Sequence, residues 1–178
     1  MKQLILTVLF TTLTLASVFA QRFAFVDTEY ILDNILEYRD AQEELDEISI
    51  EWQQEIEAKY QEIEQLYQAY QAEAVLMPEE MKIEKQNEII AKEKEVKELQ
   101  KKRFGTDGDL FKKREELIKP IQDKVYDAIE EIATEGSYAF ILDKSSGASV
   151  LYLDTKYDKS DEVLEKLGYQ AGAIRTGE

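Results

Sequence analysis

Between Glu29 and Met77 the chain has neither a glycine nor a proline, and its apolar residues recur every three or four positions. Ala41, Leu45, Ile48, Trp52 and Ile56 are spaced 4, 3, 4 and 4. Tyr60, Ile63, Tyr67, Tyr70, Ala74 and Met77 continue the series at 4, 3, 4, 3, 4 and 3. That alternation places the apolar residues on one seam of a helix. The extra step of four around Trp52 is a stutter, which locally unwinds a left-handed supercoil. At ~1.5 Å per residue, a helix over 37–77 would reach roughly 60 Å. A compact domain of this length cannot enclose such a rod, so the rod must project.

Pro78 ends it. Met77-Pro78-Glu79-Glu80 reads as a tight turn, with Pro78 at the start of the next helix and two glutamates complementing that helix's N-terminal dipole. The return helix repeats at seven residues: Ile83, Ile90, Lys97, Phe104, Phe111, Ile118, Val125 and Ile132, with Ile121 and Ala128 as a companion seam. Two long helices joined by a short turn form an antiparallel hairpin. Charge supports the pairing. Residues 28–77 hold 14 acidic and 2 basic side chains, against 7 acidic and 8 basic over 79–103. Gly105-Thr106-Asp107-Gly108 interrupts the return helix and reads as a hinge at Gly105 and Gly108, since each glycine costs about 1 kcal/mol in a helix interior. Asp107 and Asp109 hint at a calcium loop. The twelfth position, counted from Asp107, is Ile118 instead of an acidic ligand, so no metal site is assigned. Phe104 and Phe111 are expected inside the hairpin, and Pro120 introduces a kink.

Short strands flank the hairpin. Residues 22–27 are aromatic or β-branched enough for one, with Phe23 and Phe25 on one face. Thr28 is the expected N-cap of the helix that follows. After Gly136 and Ser137, Tyr138–Asp143 forms a second strand, and Ser149–Leu153 a third beyond the turn at 144–147. Ser160 caps a short helix over 161–167, closed by Gly168, and 169–178 reads as a flexible tail.

The first twenty residues have a different character. Lys2, the apolar run Leu4–Leu15 and Val18-Phe19-Ala20 make a secretory signal peptide, cleaved after Ala20. Its removal takes away one positive charge and changes the formal net charge of −16 to −17. So acidic a chain is unsuited to nucleic acid or anionic head groups. The chain has no cysteine and no histidine. It therefore lacks disulfides, the usual nucleophile–base pairs and the common zinc sets. No enzyme activity, no cofactor and no metal are expected.

Strand, hairpin, two strands and a short helix, behind a signal peptide, resemble the Skp/OmpH family of periplasmic chaperones. The resemblance is carried by Phe25-Val26-Asp27, by the Glu/Gln/Lys-rich hairpin, by Phe111–Tyr126 (FKKREELIKPIQDKVY), by Tyr138–Asp143 (YAFILD) and by Asp158–Leu167 (DKSDEVLEKL). It implies a mainly α fold with a small β part: a coiled-coil hairpin projecting from a β body that forms on trimerisation. It also implies an ATP-independent holding chaperone that shelters unfolded outer-membrane β-barrel proteins in a cavity between three arms. The domains are then a body of 21–36 with 134–168 and an arm of 37–133 with its tip near 77–80. The best-known members are basic. This chain is acidic, so contact with lipopolysaccharide does not carry over.

Within that frame Tyr60, Tyr67, Tyr70, Met77 and Met81 are the candidates for touching clients, because tyrosine and thioether surfaces adapt to many partners. The spacing equally suits them to the hairpin's own seam, and Trp52 is expected in the core. Phe23, Phe25, Phe140, Leu142 and Leu151 are the candidates for the trimer core, since one chain's three short strands cover them poorly. The alternatives are a structural coiled-coil spacer and an assembly factor for one folded envelope partner.

Overall fold

A computed structural model describes residues 22–147 and 150–172. In chain order come β1 (Arg22–Val26), α1 (Thr28–Asp33), α2 (Leu36–Glu73), α3 (Glu79–Phe104), α4 (Asp109–Glu135), β2 (Tyr138–Asp143) and α5 (Ser160–Lys166). Residues 1–20, where a signal peptide is expected, Ser149 and 173–178 lie outside the described residues.

The helix after β1 starts one residue earlier than the sequence suggested. Asp27 is the cap: its backbone is extended and its carboxylate accepts from the Tyr30 amide at 3.0 Å. The expected continuous helix is also divided. Asn34 Nδ2 donates to the Tyr30 carbonyl at 2.8 Å, closing α1, and Ile35 turns extended before α2 begins. Such local side-chain bonding competes with the helix ladder. From Leu36, α2 runs unbroken for 38 residues, roughly 57 Å at ~1.5 Å per residue.

α3 and α4 return along α2. Ile56 and Ile63 of α2 close over Ile89 and Val96 of α3, with Leu66, Tyr70, Leu99 and Phe104 packed against them. Nearer the body, Ala41 and Leu45 close over Ile118 of α4. The return seam keeps its seven-residue repeat, but in α3 it lies one residue before the expected one. Ile83 and Ile90 are exposed, while α4 buries Ile118, Val125 and Ile132 as expected. The 105–108 interruption absorbs this change of phase. Phe111, expected inside the hairpin, faces solvent and is 47% exposed. α4 continues as a helix through Pro120.

In the body, β1 and β2 pair in parallel, Phe23 beside Phe140, Ala24 beside Ile141 and Phe25 beside Leu142. Parallel neighbours need a crossover. Here the crossover is the whole helical arm. The other edge of β1 is occupied too, because the Lys159 amide donates to the Phe25 carbonyl at 2.9 Å. The main core lies beneath: Val26, Ile31, Leu32 and Ile35 against Val125, Ala128 and Ile132, sealed by Val163 and Leu164 of α5. At the start of α5 Lys159, not Ser160, holds the cap position, and the Asp158 carboxylate before it accepts from the Ser160 amide at 2.9 Å. The Ser160 hydroxyl instead accepts from the Asp27 amide at 2.9 Å and ties α5 to β1.

Two expectations fail in the body. No strand forms over 150–153, where Leu151 is 98% exposed. A strand needs a ladder partner, and among the described residues the sheet consists of β1 and β2 alone. The segment instead borders an open cleft of about 370 Å³ with Asp27, Glu29, Lys144 and Ser145. Nor is the start of the tail loose. The Tyr169 hydroxyl donates to Glu37 Oε2 at 2.7 Å and its ring packs on the main core.

Candidate functional site

Two surfaces of the chain have apolar groups and too little of the chain to cover them. One is the outer half of the arm. Its heptad seam buries Ile56, Ile63, Ile89 and Val96, so any apolar side chain off that line faces outward. Tyr67 and Tyr60 do so, at 47% and 39% exposed. The Tyr60 hydroxyl approaches Gln100 Oε1 at 3.5 Å, a weak contact. Tyr70 is half-buried against the seam, with its hydroxyl accepting from Gln86 Nε2 at 2.7 Å. Met81 is exposed and Met77 half-buried.

The most exposed apolar residues of the tip escaped the sequence analysis. Val75 and Leu76 are 89% and 88% exposed, in the turn between α2 and α3. The seam series stepped over them from Ala74 to Met77. The available signal was the run Ala74-Val75-Leu76-Met77 itself, since a helical seam cannot bury four consecutive residues.

Arm charges pair across the hairpin as the asymmetry suggested. Lys92 Nζ donates to Glu62 Oε1 at 2.7 Å, and Lys59 lies 3.9 Å from Glu95. The hydrogen bond with its charge holds Glu62 below the usual carboxylate range and Lys92 above the usual ammonium range. Trp52 is half-buried, edge-on to Phe104. At Gly105 and Gly108 the backbone is extended, with φ −66° and −73°. Neither is in the left-handed region. What demands glycine is proximity: a Cβ on Gly105 would lie 2.4 Å from the Lys101 carbonyl oxygen, and one on Gly108 2.8 Å from that of Arg103.

The second surface is on the body. Phe25 belongs to the chain's own core, at 4% exposed. Phe23, Phe140 and Leu142 are 45%, 51% and 42% exposed, and Leu151 is nearly free. Phe23 stacks on Phe140 at 6.1 Å and meets Tyr157 at a tilt at 4.7 Å, forming an aromatic cluster open to solvent beside β2. Asp143 terminates β2 and locks it to α1. Its carboxylate accepts from the Thr28 hydroxyl at 2.8 Å, the Thr28 amide at 3.2 Å and the Ser145 hydroxyl at 2.8 Å. Burial alone would raise its pKa, but the Ser145 and Thr28 bonds together hold it below the usual range.

The arrangement offers contact surface. Asp109 is engaged by Arg103 at 2.9 Å, and no group of three or more acidic residues is placed to hold a metal among the described residues. No helix among them is long and apolar enough to cross a membrane.

A long arm on a small parallel β body is what the family comparison matches. The model of the family described as "Outer membrane protein (OmpH-like)" covers residues 22–167, from the first residue of β1 to just past α5. The chain belongs to the OmpH-like family. That family consists of periplasmic chaperones of outer membrane proteins, not of enzymes. No curated protein matches the chain. The OmpH-like match spans both exposed surfaces, so arm and body are parts of one family unit.

Proposed function

We propose that this OmpH-like chain is exported, is cleaved after Ala20 and assembles as a homotrimer. In this reading it holds unfolded outer-membrane β-barrel proteins in the periplasm without ATP. The observation that carries the proposal is the uncovered apolar surface at both ends of the helical arm. At the body, β2 presents an edge with Phe140 and Leu142 exposed, and β1 has no free edge to give it. An open edge of this kind is completed by another chain's strand. The segment 149–153, with β-forming Val150, Leu151 and Tyr152 exposed, suits that role on a neighbouring chain.

At the other end, Tyr60, Tyr67, Val75, Leu76 and Met81 present exposed apolar and aromatic surface. Flexible thioether and aromatic groups suit promiscuous contact with unfolded chains. Basic groups of the return arm such as Lys92 are engaged by carboxylates across the hairpin and the chain is net acidic, so capture rests on this apolar surface. Lipopolysaccharide and nucleic acid are not partners in this account.

The test is light scattering of an outer-membrane barrel protein diluted from urea. The proposal expects suppression of aggregation at equimolar trimer without nucleotide. A structural spacer would leave the scattering unchanged, and an assembly factor would act on one folded partner alone.

A further inference from the structure

The α3 seam runs Ile89, Val96 at seven-residue spacing, and its next position is Arg103. A seam position ordinarily takes an aliphatic residue. Arg103 sits instead at the last turn of α3, just before the interruption at 105–108.

From α3 its guanidinium reaches two other helices at once, α2 and α4. It lies over the Trp52 ring of α2 at 4.4 Å from the centroid. Nη1 donates to Asp109 Oδ2 of α4 at 2.9 Å, spanning the interruption. Nη2 reaches Glu55 Oε2 of α2 at 3.5 Å. The adjoining Phe104 meets Trp52 edge-on, with rings 6.3 Å apart and 79° between planes. The planar, forked guanidinium stacks and bonds in this way where a lysine ammonium does not.

The backbone at the break gives little stiffness of its own. The Gly108 amide donates to the Gly105 carbonyl at 2.9 Å, and both glycines are extended, so the helix ladder does not run through.

We propose that Arg103 is a clasp: it fixes the angle between α3 and α4 on the face of α2, and the arm bends only when the clasp opens. The tie is built from contacts that are individually modest. The Arg103 and Asp109 side chains are 24% and 25% exposed and Glu55 is 40% exposed, so solvent screens the pairs. The buried Nε has no hydrogen-bond partner among the described residues, which weakens the closed state further. A fixed angle at rest and a low barrier to release both follow. Under the chaperone reading the clasp sets the resting width of the cavity, and load from a large client opens it. The clasp itself needs no client.

Trp52 is the only tryptophan of the chain, so its fluorescence reports the clasp directly. The experiment uses the full mature protein without client. Arg103→Gln is compared with wild type and with Arg103→Lys by acrylamide quenching of Trp52, by hydrogen exchange over residues 105–112 and by small-angle scattering. Far-UV circular dichroism and sedimentation check that helix content and oligomeric state are kept. Arg103→Gln should expose Trp52 to quencher and speed exchange at the break by roughly two- to fivefold, the loss expected for a screened charged contact. It should also broaden the range of arm shapes. Arg103→Lys should fall between, and 1 M salt should move the wild type the same way. If Arg103→Gln loses helix content, Asp109→Asn removes only the contact across the break and carries the same test. Quenching, exchange and scattering identical to wild type in a folded variant would overturn the proposal and leave the angle to the glycines alone. Because no client is present, that outcome stays separate from a failure to hold unfolded proteins.

Discussion

Replacing Gly105 with alanine separates two accounts of the break by the sign of one number. If the interruption were a loose stretch of helix, alanine would stabilise it by about 1 kcal/mol through helix propensity. The structure gives the opposite sign. The new Cβ would sit 2.4 Å from the Lys101 carbonyl oxygen, 1.0 Å inside the 3.4 Å at which ordinary contact begins. The obstacle is backbone, and the same carbonyl accepts from the Gly105 amide at 2.8 Å. Relief therefore requires moving the end of α3, stretching that bond and disturbing the Arg103 contacts two residues away. Overpacking of this kind costs about 1–3 kcal/mol. It is offset by about 0.4–1 kcal/mol from the stiffer unfolded chain. The net is a loss of roughly 1–2 kcal/mol, and for a protein of this size each kcal/mol lowers Tm by about 2–4 °C. Thermal and urea unfolding followed by circular dichroism read it. A Gly105→Ala protein melting above wild type would refute the close-approach argument and restore the loose hinge.

Asp replacing Phe140 or Leu142 would place a charge on the proposed contact edge. Sedimentation should show dissociated chains that keep their helix content, and an unchanged trimer would remove β2 from the interface. Leu76→Ser should change stability by less than about 0.5 kcal/mol, because the side chain is 88% exposed, yet weaken suppression of barrel-protein aggregation. Undiminished suppression would take the tip out of client contact. Burial, and then the hydrogen bond to Glu37, push the Tyr169 hydroxyl up from 10.0 to about 12. A group raised on folding stabilises fully below its unfolded pKa and loses that contribution as pH climbs through the folded one. Wild type should therefore lose stability relative to Tyr169→Phe between pH 10 and about 12, as read by urea midpoints, with a constant difference there counting against the fastening.

Much of the fold was legible because it depends on local pattern. The helical run free of glycine and proline, the start of the next helix at Pro78 and the strand character of 22–27 and 138–143 all act within a few residues of themselves, although the first long helix ends at Glu73, four residues short of Met77. What was not legible depends on distant partners. Ile83 and Ile90 fit a seven-residue repeat as well as Ile89 and Val96 do. Only the facing Ile56 and Ile63 decide between the two lines, and the break at 105–108 then resets the phase. Residues 150–153 have strand composition, but a strand is a pairing, and among the described residues this segment has no ladder partner. The tip was missed for a simpler reason: a periodic template records the residues that fit and passes over Val75 and Leu76 between them. Arg103 stood unremarked in a basic run, because its seam position appears only once Ile89 and Val96 are known to be the buried pair.

The central claim is that three of these chains jointly enclose one unfolded protein. Native mass spectrometry of the mature protein mixed with a urea-unfolded outer-membrane barrel protein tests it most directly. The account predicts a complex of three chains with a single client, formed without nucleotide and absent when the client is folded first. A single chain alone, or a complex that persists with the folded barrel, would contradict it.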